Sequence, residues 1–176
     1  CEGLLAGQKD PEQSLKFITR FTKPGGVCII TTNDCAGLLT DLLRGLIGGI
    51  VMKEEMSFEE NAGILVATFE GHLAHLKAMS RSPKDWVMDS IMNKALWGNK
   101  ETDMLSIERA IRTLDASFDV YGVSPYFFVD WRWYKDVYGG KKDLNKVAID
   151  CYQKNLHNLL DCRDQWGPRS AEENRD

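Results

Sequence analysis

Apolar residues recur at helical spacing along most of the chain, interrupted by one short unbroken apolar run near the amino end. Asp10-Pro11-Glu12-Gln13 combines a capping carboxylate, a proline at the first helical position and an amide three residues after the cap, and it announces a helix. Leu15, Phe17, Ile18 and Phe21 follow on one face. Lys23-Pro24 ends that helix, because proline cannot extend the hydrogen-bond ladder and biases its predecessor away from helical geometry. Gly25-Gly26 turns the chain into Val27-Cys28-Ile29-Ile30, which is apolar throughout and rich in β-branched residues. That pattern predicts a strand buried on both faces, as in the middle of a parallel sheet. Asn33 or Asp34 is placed to cap the next helix, whose Leu38, Leu39, Leu42, Leu43, Leu46 and Ile47 form a broad apolar face. Gly48-Gly49 weakens its end.

Three further helices are expected without strands between them. Ser57-Phe58-Glu59-Glu60 is a capping box ahead of Ala62, Leu65, Val66, Phe69, Leu73 and Leu76. Ser82-Pro83-Lys84-Asp85 opens the next, around Val87, Ile91 and Ala95, and Ser106 caps a third with Ile107, Ala110, Ile111 and Leu114. The segments 118–123 and 126–133 read as two strands around Ser124-Pro125, a connection short enough to require antiparallel pairing. Asp143 caps a last helix running to about Leu160, and residues 167–176 read as a disordered tail. The expected architecture is therefore α/β, one domain over residues 1–166, with a helical insertion at about 57–115 packed at one end of the sheet.

Composition narrows the partners. Lys+Arg 22 against Asp+Glu 26 gives a net charge of −4 with the basic residues scattered, so no stripe of charge suits a nucleic-acid backbone. Leu42 to Met52, the most apolar stretch, contains Arg44 and falls well short of the roughly 20 residues needed to span a bilayer. Cys1, Cys28, Cys35, Cys151 and Cys162 are odd in number and never paired as Cys-x-x-Cys, which argues against a disulfide framework and a zinc site. A reducing cytoplasmic compartment is the expectation. The opening Cys1-Glu2-Gly3-Leu4-Leu5 reads as though a strand had just ended.

A buried strand introduced by Lys23-Pro24-Gly25-Gly26, preceded by Cys1-Glu2-Gly3-Leu4-Leu5 and a helix, and followed by helices and a terminal hairpin, resembles the carboxy-terminal half of a class I S-adenosylmethionine-dependent methyltransferase. The resemblance covers most of the chain. It implies that 27–30 is the fifth strand of a Rossmann-like sheet, that 1–5 closes the fourth, and that 118–123 and 126–133 form the final antiparallel hairpin. It also implies a glycine-rich cofactor loop and an acidic ribose-binding residue. Neither has a counterpart here, since Gly45-Leu46-Ile47-Gly48-Gly49 has the wrong spacing and falls within or at the end of a helix. The chain is accordingly expected to be a fragment lacking its cofactor-binding half and inactive alone.

Ligands of such sheets lie beyond the carboxyl ends of the strands. The resemblance thereby marks Cys1, Glu2 and Gly3 for contact with S-adenosyl-L-methionine, and Asn33 and Asp34 for the acceptor, although a capping role also suits the latter pair. Trp86 and Asp89 share a helix face and suit either a lid over a small-molecule acceptor or packing against other helices. Trp131 and Trp133 could supply an aromatic wall that attracts the sulfonium, or simply close a core. No single catalytic residue is expected, because methyl transfer from a sulfonium depends chiefly on positioning. His72 and His75 lie three apart with only His157 besides, too few for a zinc set, and no metal is expected. The competing reading is a non-catalytic binding or scaffold module that pairs with another chain.

Overall fold

Helix starts follow the capping chemistry written in the sequence. A computed structural model describes residues 1–5, 8–76, 80–93, 104–126 and 143–174. Helix α1 (Pro11–Thr19) begins where Asp10 Oδ1 accepts from Gln13 N at 2.9 Å. Helix α3 (Phe58–Leu73) carries the full reciprocal box between Ser57 and Glu60. Ser82, Ser106 and Asp143 cap α4 (Pro83–Val87), α5 (Ile107–Leu114) and α6 (Leu144–Asn155) through the amides of Asp85, Arg109 and Lys146. Helix α4 continues through a π turn at Met88–Met92, and α6 through a 3-10 turn at Leu156–Leu159. The remaining helix, α2 (Leu39–Val51), starts five residues beyond Asp34, whose carboxylate instead closes a turn onto Ala36 N.

The expected Rossmann-like sheet is not seen: every regular element among the described residues is helical. The run 27–30 is not buried on both faces. Val27 and Ile29 are 66% and 72% exposed, while Ile30 packs against the cluster of Leu5, Leu15, Leu105 and Ala110. An apolar extended run becomes a central strand only when chains flank it on both sides. Here, among the described residues, one hydrogen bond reaches it from a neighbouring chain segment, Cys1 N to Ile29 O at 2.8 Å, and Thr31 N just beyond the run donates to Cys1 O at 3.2 Å. Their offset is that of parallel pairing, but it extends over one residue of the partner segment.

Residues 118–123 are likewise not a strand. Their main-chain groups are met by a side chain: Asn145 of α6 accepts from Val120 N at 2.9 Å and donates to Phe118 O and Asp115 Oδ1, each at 2.8 Å. A buried amide thus does the work expected of a neighbouring strand. Of the expected second hairpin strand, the part from 127 onward lies outside the described residues.

The chain divides into two compact units, Cys1–Leu38 with Lys100–Asp176, and Leu39–Asn99. In the first, α5 packs on both α1 and α6, and Arg109 of α5 holds Glu12 of α1 with Nη2 to Oε1 at 2.8 Å. The chain beyond α6 folds back on it, with the main chain of Trp166 bracketed by Asn158 and Arg169 N donating to Lys154 O at 2.9 Å.

In the second unit, Ala62, Leu65, Phe69 and Leu73 of α3 pack against Val87 and Ile91. Helix α2 joins this core through Gly48, where a Cβ would stand 2.4 Å from Ile91 Cγ2. Lys84 of α4 pairs with Glu59 of α3. Among the described residues, no helix is long and apolar enough to cross a membrane.

Two substitutions test this packing. Asn145→Ala removes three hydrogen bonds from a buried site and is expected to cost about 2–3 kcal/mol in urea unfolding. Gly48→Ala forces a methyl into the stiff Ile91 side chain, and the clash outweighs the gain in helix propensity. A net loss of about 1–2 kcal/mol is expected, and an unchanged midpoint would contradict the close approach.

Candidate functional site

In the first unit, the amino end of one segment marked for ligand contact pairs just ahead of the other. The Cys1 pairing sets Cys1 against 29–31, and because it has the parallel sense, Glu2-Gly3 and Asn33-Asp34 leave the pairing in the same direction. Cys1, Glu2 and Gly3 are exposed, and Asn33 and Asp34 are half-buried. Gly3 has φ +67°, a left-handed conformation that side chains resist, with open space where a Cβ would stand.

Asp34 is fixed at both carboxylate oxygens. Oδ1 accepts from Ala36 N at 2.9 Å and Oδ2 accepts from the hydroxyl of Tyr152, which is buried on α6. Burial first, and then the bond to Asp34, hold the Tyr152 hydroxyl firmly protonated, so it acts as a donor; Ser106 opposes this slightly. The neighbours of Asp34 are tied to the same wall. Asn33 N donates to Leu105 O at 2.9 Å, and Cys35 Sγ stands 3.3 Å from Met104 Sδ. The result is a short polar ledge in which a carboxylate is oriented by a phenol. An open groove of about 770 Å3 runs along α1 and includes Leu4, next to Gly3, but none of the marked residues.

Trp86 and Asp89 belong to the second unit, and the structure does not bring them together. Asp89 pairs with Arg81. Trp86 stacks edge-to-face on Phe69 with centroids 6.1 Å apart, and the Arg44 guanidinium lies 5.3 Å from its ring centre. Arg44 is only 17% exposed; it donates to Asp41 Oδ1 at 2.6 Å and to His72 Nε2 at 2.8 Å, while its Nε is buried with no hydrogen-bond partner among the described residues. Guanidinium nitrogens can only donate, so Nε2 of His72 must accept and the ring must be neutral with its proton on Nδ1. Burial chiefly, and then the charge of Arg44 and the nearby His75, hold the His72 imidazole below its ordinary range, with Asp41 acting the other way. Trp131 and Trp133 lie outside the described residues. Among the described residues, no three potential metal ligands converge, and His75 Nδ1 is engaged by Gly71 O at 2.6 Å.

Tyr152, Asp41 and Arg44 were not marked as site residues in the sequence, and Ser106 was marked only as a helix cap. The charged pair had a local signal, since Asp41 and Arg44 are the two charges within an otherwise apolar helix. Tyr152 had none, lying 118 residues from its partner.

The His72 contact predicts a pH response of the second unit. The folded protein resists protonating His72 and the unfolded chain does not, so stability is complete above about pH 6.5 and declines as the pH falls below it. Urea midpoints at pH 7.5 and 5.5 are expected to show this decline. His72→Phe, which keeps a ring but strands Arg44 Nη2, is expected to start lower and to lose the histidine-linked part of the decline. An equal decline in both proteins would refute the assignment.

No protein family model, no curated protein and no solved structure matches this chain.

Proposed function

We propose that the chain contributes the acceptor side of a cytoplasmic S-adenosylmethionine-dependent methyltransferase acting on a small molecule. The observation that carries this reading is the pairing of Cys1 with Ile29 and Thr31. It ties Cys1, the first residue of Cys1-Glu2-Gly3, to the chain just ahead of Asn33-Asp34, the two segments singled out by the methyltransferase-like sequence. The reading rests on these segments and not on a sheet. Main-chain groups at Glu2-Gly3 and an oriented carboxylate at Asp34 are suited to placing a cofactor and a polar acceptor for in-line displacement at a sulfonium methyl. Positioning supplies most of the acceleration of such a reaction. Asp34, held by Tyr152, would orient an acceptor hydroxyl or amine and need not remove its proton before transfer.

A second reading, a binding or scaffold module that pairs with another chain, is favoured by one specific feature. The outward face of α2 carries exposed Leu39, Leu42, Leu43, Leu46 and Ile50, and its two charged residues point inward to each other. Such a face is a large apolar patch for a free surface.

Equilibrium dialysis with radiolabelled S-adenosylmethionine separates the two. It should be run on this chain and on the chain extended by whatever coding sequence precedes Cys1. The first reading expects saturable binding in the extended protein, weakened about tenfold or more by Gly3→Val, since valine resists a positive φ. Absence of binding in both proteins, together with a concentration-dependent rise in molecular mass, would favour the second.

A further inference from the structure

The outward side of α2 has relief as well as apolar character. Leu42, Leu46 and Ile50, spaced four apart, form an exposed row, and Gly45 and Gly49, also four apart and exposed, form the row beside it. A Cβ at either glycine would meet nothing within 4 Å. The helix thus presents an apolar ridge next to a trough of bare main chain. Leu39, Leu43 and Ile47, all exposed, extend the apolar surface on the other side of the ridge.

No unpaired charge interrupts this face. Asp41 and Arg44, the charged residues of α2, pair with each other, and Arg44 turns inward to His72 and Trp86. An occupant has to be uncharged, apolar and shaped as a ridge beside a trough, and α2 itself has all three properties. A two-fold axis brings the ridge of each copy into the trough of the other, so that rows of four-apart residues interdigitate as in helix pairs crossing at about −50°. The leucines and isoleucines of the face leave about 500 Å2 of surface in water on each copy and about 1,000 Å2 for a pair, at the lower edge of specific interfaces and in keeping with a weak, reversible dimer. Lys53, Glu54 and Glu55 follow the helix and are exposed. A rim carrying both signs can pair with its own copy, whereas its net negative charge is repelled by an anionic bilayer.

We propose, resting on the reading in which the chain pairs with another, that its partner is a second copy of itself: two chains join as a weak two-fold dimer through α2, with Leu46 and Ile50 of each lying in the trough at Gly45 and Gly49 of the other. The two glycines are then required for close approach between copies, as Gly48 is for close approach to Ile91 within one copy. The three glycines of α2 serve opposite sides of the same helix.

Sedimentation velocity on the full chain, from about 1 to 200 μM, tests this in the range expected of a small interface. The wild type is expected to pass from monomer to dimer and to go no further. Leu46→Lys sets a charge in the middle of the face at an exposed position, and is expected to raise the dissociation constant about tenfold or more. Gly45→Leu is the sharper variant, because it adds apolar surface in open space and favours the helix, yet fills the trough. It is expected to weaken the dimer about tenfold, whereas indiscriminate adhesion of an apolar patch would strengthen. Stronger association of Gly45→Leu would overturn the ridge-in-trough fit, and growth beyond two copies would overturn the two-fold. Association untouched by Leu46→Lys would overturn the use of α2 and leave the pairing reading in place. A monomer at every concentration would overturn both, and its co-sedimentation with phosphatidylcholine vesicles would give the face to a bilayer instead.

Discussion

The buried guanidinium of Arg44 constrains the second unit more than any apolar contact does. An arginine cannot discharge, so burying it requires partners for its donors, and Asp41, His72 and the face of Trp86 provide them from α2, α3 and α4. Satisfying that charge turns the polar side of α2 inward. The leucines of the same helix are then left facing outward, and Gly48 is the position at which the helix can approach Ile91 closely. One donor, Nε, remains without a partner among the described residues even so, which marks how tightly the group is enclosed.

The first unit solves a different problem with a related device. Long irregular segments at 21–38, 115–126 and 160–174 expose main-chain amides and carbonyls that helices or sheets would have paired internally. Buried polar side chains meet several of them: Asn145 holds 118–120, Asn158 holds Trp166, and Tyr152 holds Asp34 within the turn that precedes α2. All three project from α6 or the turn that follows it. That helix serves as a polar spine, while Leu5, Leu15 and Leu105 provide the apolar core on the other side of α5.

Local chemistry was legible and long-range chemistry was not. The caps at Asp10, Ser57, Ser82, Ser106 and Asp143 each follow from a few adjacent residues, and each helix begins where its cap lies. The run 27–30 carried a β-branched composition that fits a buried strand, but burial depends on flanking segments that its own residues cannot specify. Periodicity also identified the apolar face of α2 without revealing that the protein turns this face away from its core. That inversion hinges on the partners of one charged residue located on two other helices. Of the marked site residues, Cys1 pairs through its main chain with Ile29 and Thr31, a few residues ahead of Asn33-Asp34. Trp86 instead serves the Arg44 cluster, and its role depends on residues distant in sequence.

The order of the chain has a temporal consequence. Helix α1 finds its ionic partner, Arg109, 97 residues later, whereas α2, α3 and α4 obtain their core from one continuous stretch. At the pace of synthesis, roughly 5–20 residues per second, α1 emerges from the ribosome about 5–20 seconds before α5 exists to receive it. During that interval the second unit can assemble on the nascent chain while Leu15 and Ile18 stay uncovered. A helix made before the second unit is therefore secured after it, and protection of its apolar face in that interval falls to the cell rather than to the fold.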